Sequence, residues 1–341
     1  MSLIEFTPQG MYCPQAGMYI DPWQPVDKAI ITHAHGDHAR RGNKYYLAHV
    51  TSEHVLRLRL GEHINLQTIE YNVPIHINGV KISFHPAGHI VGSSQIRLEY
   101  QGEIWVASGD YKTEPDLLSQ SFEPVRCHTF ISESTFGLPV YQWKPQSEIF
   151  DEINQWWKDN QNADKVSIVF GYSLGKAQRI LQNLDTSLGK IFVHGAIWHT
   201  NEALRQDGIL LPEVIRVSKE IPNQTYRGGL VLAPPSAMAT PWIRKFAPYA
   251  TASASGWMTL RGAKRRKALD RGFVLSDHAD WNGLNAAIEA TGAQRVYVTH
   301  GYKSAFARYL TEKGLEAYEA DTLFEGESLD PLPSLEENEL Q

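Results

Sequence analysis

A chain of 341 residues with 42% hydrophobic content can bury a large core, enough for two compact units or one large one. No charged-then-apolar leader follows Met1 and no apolar run reaches the roughly 20 residues that span a bilayer, so a cytoplasmic protein is expected. Cys13 and Cys127 are too few for a disulfide framework or a thiolate zinc site, though they leave room for one bridge, so any metal must be held by His, Asp and Glu.

The formal charge of −6 is unevenly placed. Residues 325–341 carry six of the 38 acids and no Lys or Arg, which leaves 32 acids to match 32 bases in the body. With two prolines and no apolar periodicity, this acidic tail reads as a loosely docked or disordered end.

Along the chain, short β-rich runs closed by His, Asp, Gly or Pro alternate with helical patterns. The strands are DKAIITH, VKISFHPA, EIWVASGD, HTFISEST, KVSIVFG, KIFVHG, GGLVLAPP, GFVLSDH and QRVYVTHG. The helices are SEIFDEINQWWKDNQ, GKAQRILQNL, WNGLNAAIEATG and SAFARYLTEKG. This is an α/β chain. Aromatics and prolines in LPVYQWKPQ, residues 138–146, suggest a boundary, and the charge run before GFVLSDH suggests a return near 270. The expected division is 1–140, an inserted domain at 141–270, a return at 271–324, and the tail from 325.

The densest chemistry lies in HAHGDH. Residues two apart in an extended segment project to one side, so His33 and His35 can reach one metal, while Asp37 and His38 follow where the chain turns and can face a second. Imidazole plus carboxylate suits zinc and neighbouring transition metals; the alternative is a set of surface histidines at a helix cap. Further ligands are expected at other strand ends: His89 in AGHIVGS, Asp110 in ASGDY and His300 in VTHG. Asp110 is the natural bridge, because one aspartate can give an oxygen to each of two cations. His85 competes with His89 in its loop, but its place inside SFHP favours a packed role.

These motifs resemble the successive metal motifs of the metallo-β-lactamase fold, with Asp21 in YIDPW matching the early structural aspartate. ISESTFG with Glu133, FGYSLGKAQRI, and LSDHADW with His278 resemble the β-CASP branch of nucleic-acid nucleases, and bacterial ligase-associated DNA exonucleases within it, relatives of Artemis. Ser-Asp-His stands where RNA-processing relatives commonly have Ala-His. The resemblance implies an αββα sandwich with an inserted β-CASP-like α/β domain. It also implies a 5′-to-3′ DNA exonuclease in repair, using two divalent ions, with Zn, Mn and Fe as candidates. Water activated by the metals would attack phosphorus, and His278, oriented by Glu133, would donate to the leaving oxygen or, as the alternative, bind a phosphoryl oxygen. DNA with a free end is the implied partner, with a DNA ligase and a helicase in the same pathway. RNA processing is the alternative within the branch, and a small-ester or thioester hydrolase the alternative outside it.

The segment FGYSLGK is not a Walker A motif, because three residues separate its glycines and Ala177 replaces the required Ser or Thr. Its strand–turn–helix form still offers backbone N–H groups to a phosphate, with Ser173, Lys176 and Arg179 nearby; the competing reading is a simple helix cap with exposed cations. The run from Arg261 to Arg271 can track a phosphodiester backbone or be a solvated face. His194 reads as core or edge, and Trp156 and Trp157 as packing.

Overall fold

The computed structural model describes residues 2–260 and 268–322. It divides into two compact units. One comprises the chain up to Gln142, Gln206–Gly208 and the segment from His278; the other comprises Trp143–Arg205 and Ile209–Asp277. The expected acidic tail and the basic run from Arg261 to Lys267 lie outside the described residues.

The first unit stacks two sheets and a helical layer. One sheet takes its six strands in chain order: Glu5–Thr7, Gly10–Cys13, Met18–Ile20, Lys28–Ile30, Tyr45–His49 and Leu66–Ile69. The other has seven, in the order Glu316–Glu319, Arg295–Thr299, Thr129–Glu133, Glu103–Ala107, Ser94–Tyr100, Val80–Pro86 and Ile75–Ile77. Its central strands read as continuous apolar runs because both faces are covered. With a side-chain period of two, Trp105, Ala107 and Ile131 join Ile20, Ile30 and Leu47 of the first sheet in one core. Val106, Phe130, Val296 and Val298 point the other way, onto Leu284, Ile288, Phe306 and Leu310 of the helices Trp281–Thr291 and Lys303–Glu312.

Four neighbouring strands of the seven-stranded sheet run in the same direction: Thr129–Glu133 pairs parallel with both Glu103–Ala107 and Arg295–Thr299, and Arg295–Thr299 with Glu316–Glu319. Their carboxyl ends therefore open at one edge, where loops can gather functional groups. The loops that leave this edge need backbone freedom. Gly109 has φ +57°, and a Cβ there would stand 2.6 Å from Thr32 Oγ1; Gly301 has φ +57°, and a Cβ would stand 2.4 Å from the Ser134 carbonyl oxygen.

The second unit is built on a parallel sheet ordered Ile215–Arg216, Ile191–Val193, Leu230–Ala233, Val166–Phe170, Tyr249–Ala254 and Arg271–Phe273. One face carries Val169, Leu232, Ala252 and Phe273 against the helices Gln146–Asn162, Lys176–Asn183 and Gly195–Gln206. The other carries Ile168, Phe170, Phe192 and Val231 against Tyr226 and Phe246. Because Arg271–Phe273 pairs parallel with Ala252–Ala254, it completes this sheet. The boundary between the compact units falls at His278, against an expected return at residue 271.

Among the described residues, the two α-helices that the sequence patterns miss have plain reasons. Glu53–Leu60, EHVLRLRL, alternates Leu and Arg at the strand period, and Gly195–Gln206 begins on a glycine straight after a strand. Cys13 and Cys127 are both free and buried. No helix among the described residues is long and apolar enough to cross a membrane.

Trp157 is fully buried on the inner face of Gln146–Asn162, and its indole N–H donates to the Gly228 carbonyl at 3.0 Å. Trp156, half-buried, meets the Phe273 ring edge-on at 5.8 Å. Both tryptophans pack, as the sequence suggests. Replacing Trp157 by Ala is expected to destabilise the protein by about 3–5 kcal/mol, read from chemical denaturation. A loss below about 1 kcal/mol would contradict this packing.

Candidate metal centre

The strand Lys28–Ile30 delivers the HAHGDH segment, and three further motifs leave the parallel edge of the seven-stranded sheet: Asp110 after Glu103–Ala107, Glu133 at the end of Thr129–Glu133, and His300 after Arg295–Thr299. His89 comes from the loop between the antiparallel strands Val80–Pro86 and Ser94–Tyr100. Two residues here hold left-handed backbone without being glycine, Asp21 at φ +42° and His300 at φ +55°. Such conformations cost energy and persist only where surrounding contacts impose them.

The structure brings these residues together in three groups, two of which share Asp110. His33, His35, His89 and Asp110 form one; Asp37, His38 and His300 form another; Asp110, Glu133 and His278 form the third. In each group the ligand-type atoms all lie within 4.8 Å of one another. Asp110 sits at the middle, only 3% exposed. Its Oδ2 is 3.6 Å from His33 Nε2, 3.5 Å from His38 Nε2 and 3.8 Å from His89 Nε2, while its Oδ1 is 3.7 Å from His300 Nε2. These separations exceed hydrogen-bond length. They approach the about 3.4 Å that separates two ligands of one tetrahedral cation bound at about 2.05 Å.

Asp21 shapes the cluster from behind. Its Oδ2 accepts from His38 Nδ1 at 2.7 Å and also from the Thr32 hydroxyl, and its Oδ1 accepts from the Thr32 backbone N–H at 2.8 Å. Holding the Nδ1 proton turns the other nitrogen of His38 toward Asp110, the arrangement that orients metal-binding histidines. Thr32 Oγ1 is also 3.0 Å from His33 Nδ1.

The charge states follow from burial and proximity. Burial, then the neighbouring His38, keeps the His33 imidazole well below its ordinary pKa, hence neutral. Burial alone would raise Asp110, but His300, His38 and His278 outweigh it and hold the carboxyl well below the usual range. For His38 the balance reverses: burial disfavours its charge, yet Asp110, Asp37 and Asp21 together raise it well above the ordinary value. A proton on His38 thus occupies a nest of carboxylates that would equally favour a cation.

The residues fit a divalent metal. The donors are imidazole nitrogens and carboxylate oxygens, and His33 Nε2 and Asp110 Oδ1 are buried with no hydrogen-bond partner among the described residues. His85 joins none of the three groups. It stands 2.9 Å from Ser83 Oγ, and burial lowers its pKa to about 4.

Beside the cluster, Glu133 and His278 form a buried pair. His278 Nδ1 lies 2.8 Å from Glu133 Oε2 and 3.0 Å from Oε1, and the Tyr111 backbone N–H donates to Glu133 Oε1 at 2.8 Å. The His278 ring faces His89 with centroids 4.6 Å apart, so this pair belongs to the same site.

The expected phosphate cradle is arranged differently. Ser173 is half-buried, but Lys176 and Arg179 are 0% and 1% exposed and pair with Asp277. Gln178 folds back so that its Oε1 accepts from the Gly175 N–H at 2.7 Å, closing the helix start internally. One helical turn apart, Lys176 and Arg179 thus share an inward face rather than standing exposed at the helix start, and a buried cation must be paired. Asp277 is the residue that sequence reasoning missed, although it adjoins His278 in the quoted motif. His194 also acts locally, its Nδ1 accepting from the Ala196 N–H at 3.1 Å. Arg271 pairs with Glu152 at 2.9 Å.

No protein-family model matches the chain. It is 32% identical over 316 residues, 91% of its length, to a "Probable DNA ligase" from Opitutus terrae, of which it spans 30%. A 122-residue stretch, 35% of the chain, is 30% identical to "Endoribonuclease YSH1" from Candida glabrata and covers 16% of that protein. A 124-residue stretch is 26% identical to "Cleavage and polyadenylation specificity factor subunit 3" from Dictyostelium discoideum, again 35% of the chain and 16% of the relative. Thus the chain spans about a third or less of the length of these curated relatives. Its fold matches the crystal structure of a protein of unknown function from Enterococcus faecalis with a TM-score of 0.58, at 11% identity, over 82% of this chain and 76% of that one.

Proposed function

We propose that this chain is a dinuclear metal-dependent nuclease that hydrolyses DNA phosphodiesters from a 5′ end. The observation that carries the reading is a buried cluster of imidazoles around Asp110 with a carboxylate–imidazole pair, Glu133 and His278, at its side. His33, His35 and His89 would hold one cation, Asp37, His38 and His300 the other, with Asp110 giving an oxygen to each. When bound, the cations lower the pKa of water and stabilise charge on phosphoryl oxygens.

The chain's own groups do the rest. Asp21 holds His38 in its ligating orientation. Glu133 accepts the His278 Nδ1 proton, which leaves the opposite ring nitrogen to pass a proton to the departing 3′ oxygen. A group in that place serves a poor alkoxide leaving group, as in a nucleic acid. DNA is favoured by the ligase-named relative, whose similarity covers 91% of this chain. RNA is the second reading, favoured by the endoribonuclease relatives over 35% of it. The 5′ polarity rests on the motif resemblance alone, since Lys176 and Arg179 are committed to Asp277.

Protein purified without chelator is expected to carry two first-row cations per chain by elemental analysis, both lost or nearly so in Asp110→Ala. Metal-free protein whose activity ignores chelators would overturn the dinuclear reading.

His278→Ala is expected to lower turnover about 10²- to 10⁴-fold with metal content unchanged, and to be rescued by substrates with a better leaving group. Lost metal would make His278 a ligand instead.

Incubated with end-labelled strands and Zn²⁺, Mn²⁺ or Mg²⁺, the protein is expected to release labelled mononucleotide at once from 5′-labelled single-stranded DNA. Shortening of that strand through a ladder would reverse the polarity, and faster cleavage of RNA would select the second reading.

A further inference from the structure

In an open α/β sheet, ligands gather outside the carboxyl ends of the parallel strands. Within the second unit, Ile191–Val193 pairs parallel with both Ile215–Arg216 and Leu230–Ala233, so these three strands end along one edge. What stands there is aromatic and cationic. The first strand runs through His194 into the helix Gly195–Gln206, which carries Trp198, and Arg216 closes the neighbouring strand. The short helix Pro241–Phe246, which follows Leu230–Ala233 in the chain, carries Trp242 and Lys245. Each indole has a cation over its face, Arg216 over Trp198 at 5.5 Å and Lys245 over Trp242 at 5.6 Å. His194 joins the two pairs: its ring meets that of Trp242 edge-on with centroids 5.0 Å apart, and a Cβ on the adjoining Gly195 would stand 3.8 Å from the Arg216 guanidinium. Burial, then Lys245 and Arg216, lower the His194 pKa to about 4, so this ring is neutral between two charged groups.

Arg216 is exposed, and Trp198, Trp242 and Lys245 are half-buried. Among the described residues no carboxylate pairs with either cation. The acids whose charge reaches this surface are taken up elsewhere, Glu202 by Arg205 and Glu220 by Ser218. Cations left open beside aromatic faces suit an anion that also carries flat apolar groups. A single nucleic-acid strand repeats one planar base and one phosphodiester, and this surface repeats one indole and one cation. A duplex hides its base faces, and an acidic peptide brings charge without stacking. We propose that His194, Trp198, Arg216, Trp242 and Lys245 form a platform for single-stranded nucleic acid, with bases stacking on the indoles and phosphates meeting the cations. The choice of occupant rests on the nuclease reading, whereas the platform is complete within the second unit and uses none of the metal cluster.

The test measures binding of the full chain by fluorescence anisotropy, with labelled phosphorothioate strands that keep the backbone charge and resist cleavage. One strand is oligothymidylate and the other an abasic strand of equal length. Trp242→Ala and Trp198→Ala are each expected to weaken oligothymidylate binding about 5- to 100-fold and abasic-strand binding by less than about 2-fold. Either variant carries this arm if the other does not fold. Lys245→Gln is expected to weaken both strands alike and to flatten the slope of log affinity against log salt by about 0.7. Equal losses on both strands in the indole variants, unchanged affinity in all three variants, or a duplex bound as tightly as oligothymidylate would overturn the proposal. If the protein cleaves DNA while the indole variants bind as the unmodified chain does, only this proposal falls. If it cleaves no nucleic acid yet binds oligothymidylate through the indoles, the nuclease reading falls and the platform stands.

Discussion

A carboxylate that is 3% exposed, surrounded by imidazoles at 3.5 to 3.8 Å, is the constraint around which the first unit is arranged. Burying Asp110 as an anion is expensive without compensating positive charge. The compensation comes from segments far apart in sequence, which the fold must deliver to within a few ångströms. Parallel pairing of three neighbouring strands does this for Asp110, Glu133 and His300, because strands running the same way end at the same edge. Left-handed backbone at Gly109, Gly301, Asp21 and His300 then turns each loop sharply enough to stay there.

Support for the cluster is itself buried. Asp21, fully buried, is spent on Thr32 and His38, and Glu133, also fully buried, on Tyr111 and His278. Each is a carboxyl group removed from water, and each holds an imidazole by Nδ1 so that its other nitrogen is turned the opposite way. The same device thus recurs on both sides of Asp110, once behind a ligand-type histidine and once behind the histidine proposed to donate a proton. In the second unit, Lys176, Arg179 and Asp277 form a third buried charged group, and the chain runs directly from it to His278.

The constellation sets the chemistry more tightly than the substrate. Imidazoles and carboxylates in this arrangement suit divalent cations, and the proposed hydrolysis with cation-activated water would serve several classes of ester. What narrows the reading is the Glu133–His278 pair, which a substrate with a good leaving group would not need. The names of the relatives divide between DNA and RNA.

Residue type and spacing were enough to find the candidate ligands, because metal-binding groups are distinctive and their motifs close β-rich runs. The β-rich apolar runs likewise marked Glu103–Ala107, Thr129–Glu133, Val166–Phe170 and Arg295–Thr299 as strands. Weakly patterned elements such as Met18–Ile20, Leu66–Ile69 and the Leu-Arg helix Glu53–Leu60 were not legible, since their propensities are ambiguous and tertiary pairing decides them. The sequence also could not show which way a charged residue faces. Lys176 and Arg179 at a helix start read as groups for a phosphate; only the fold, by placing Asp277 against their shared face, turned them into a buried clamp. A motif records which groups are available, whereas burial, set by contacts between distant segments, decides which of them remain open to a ligand.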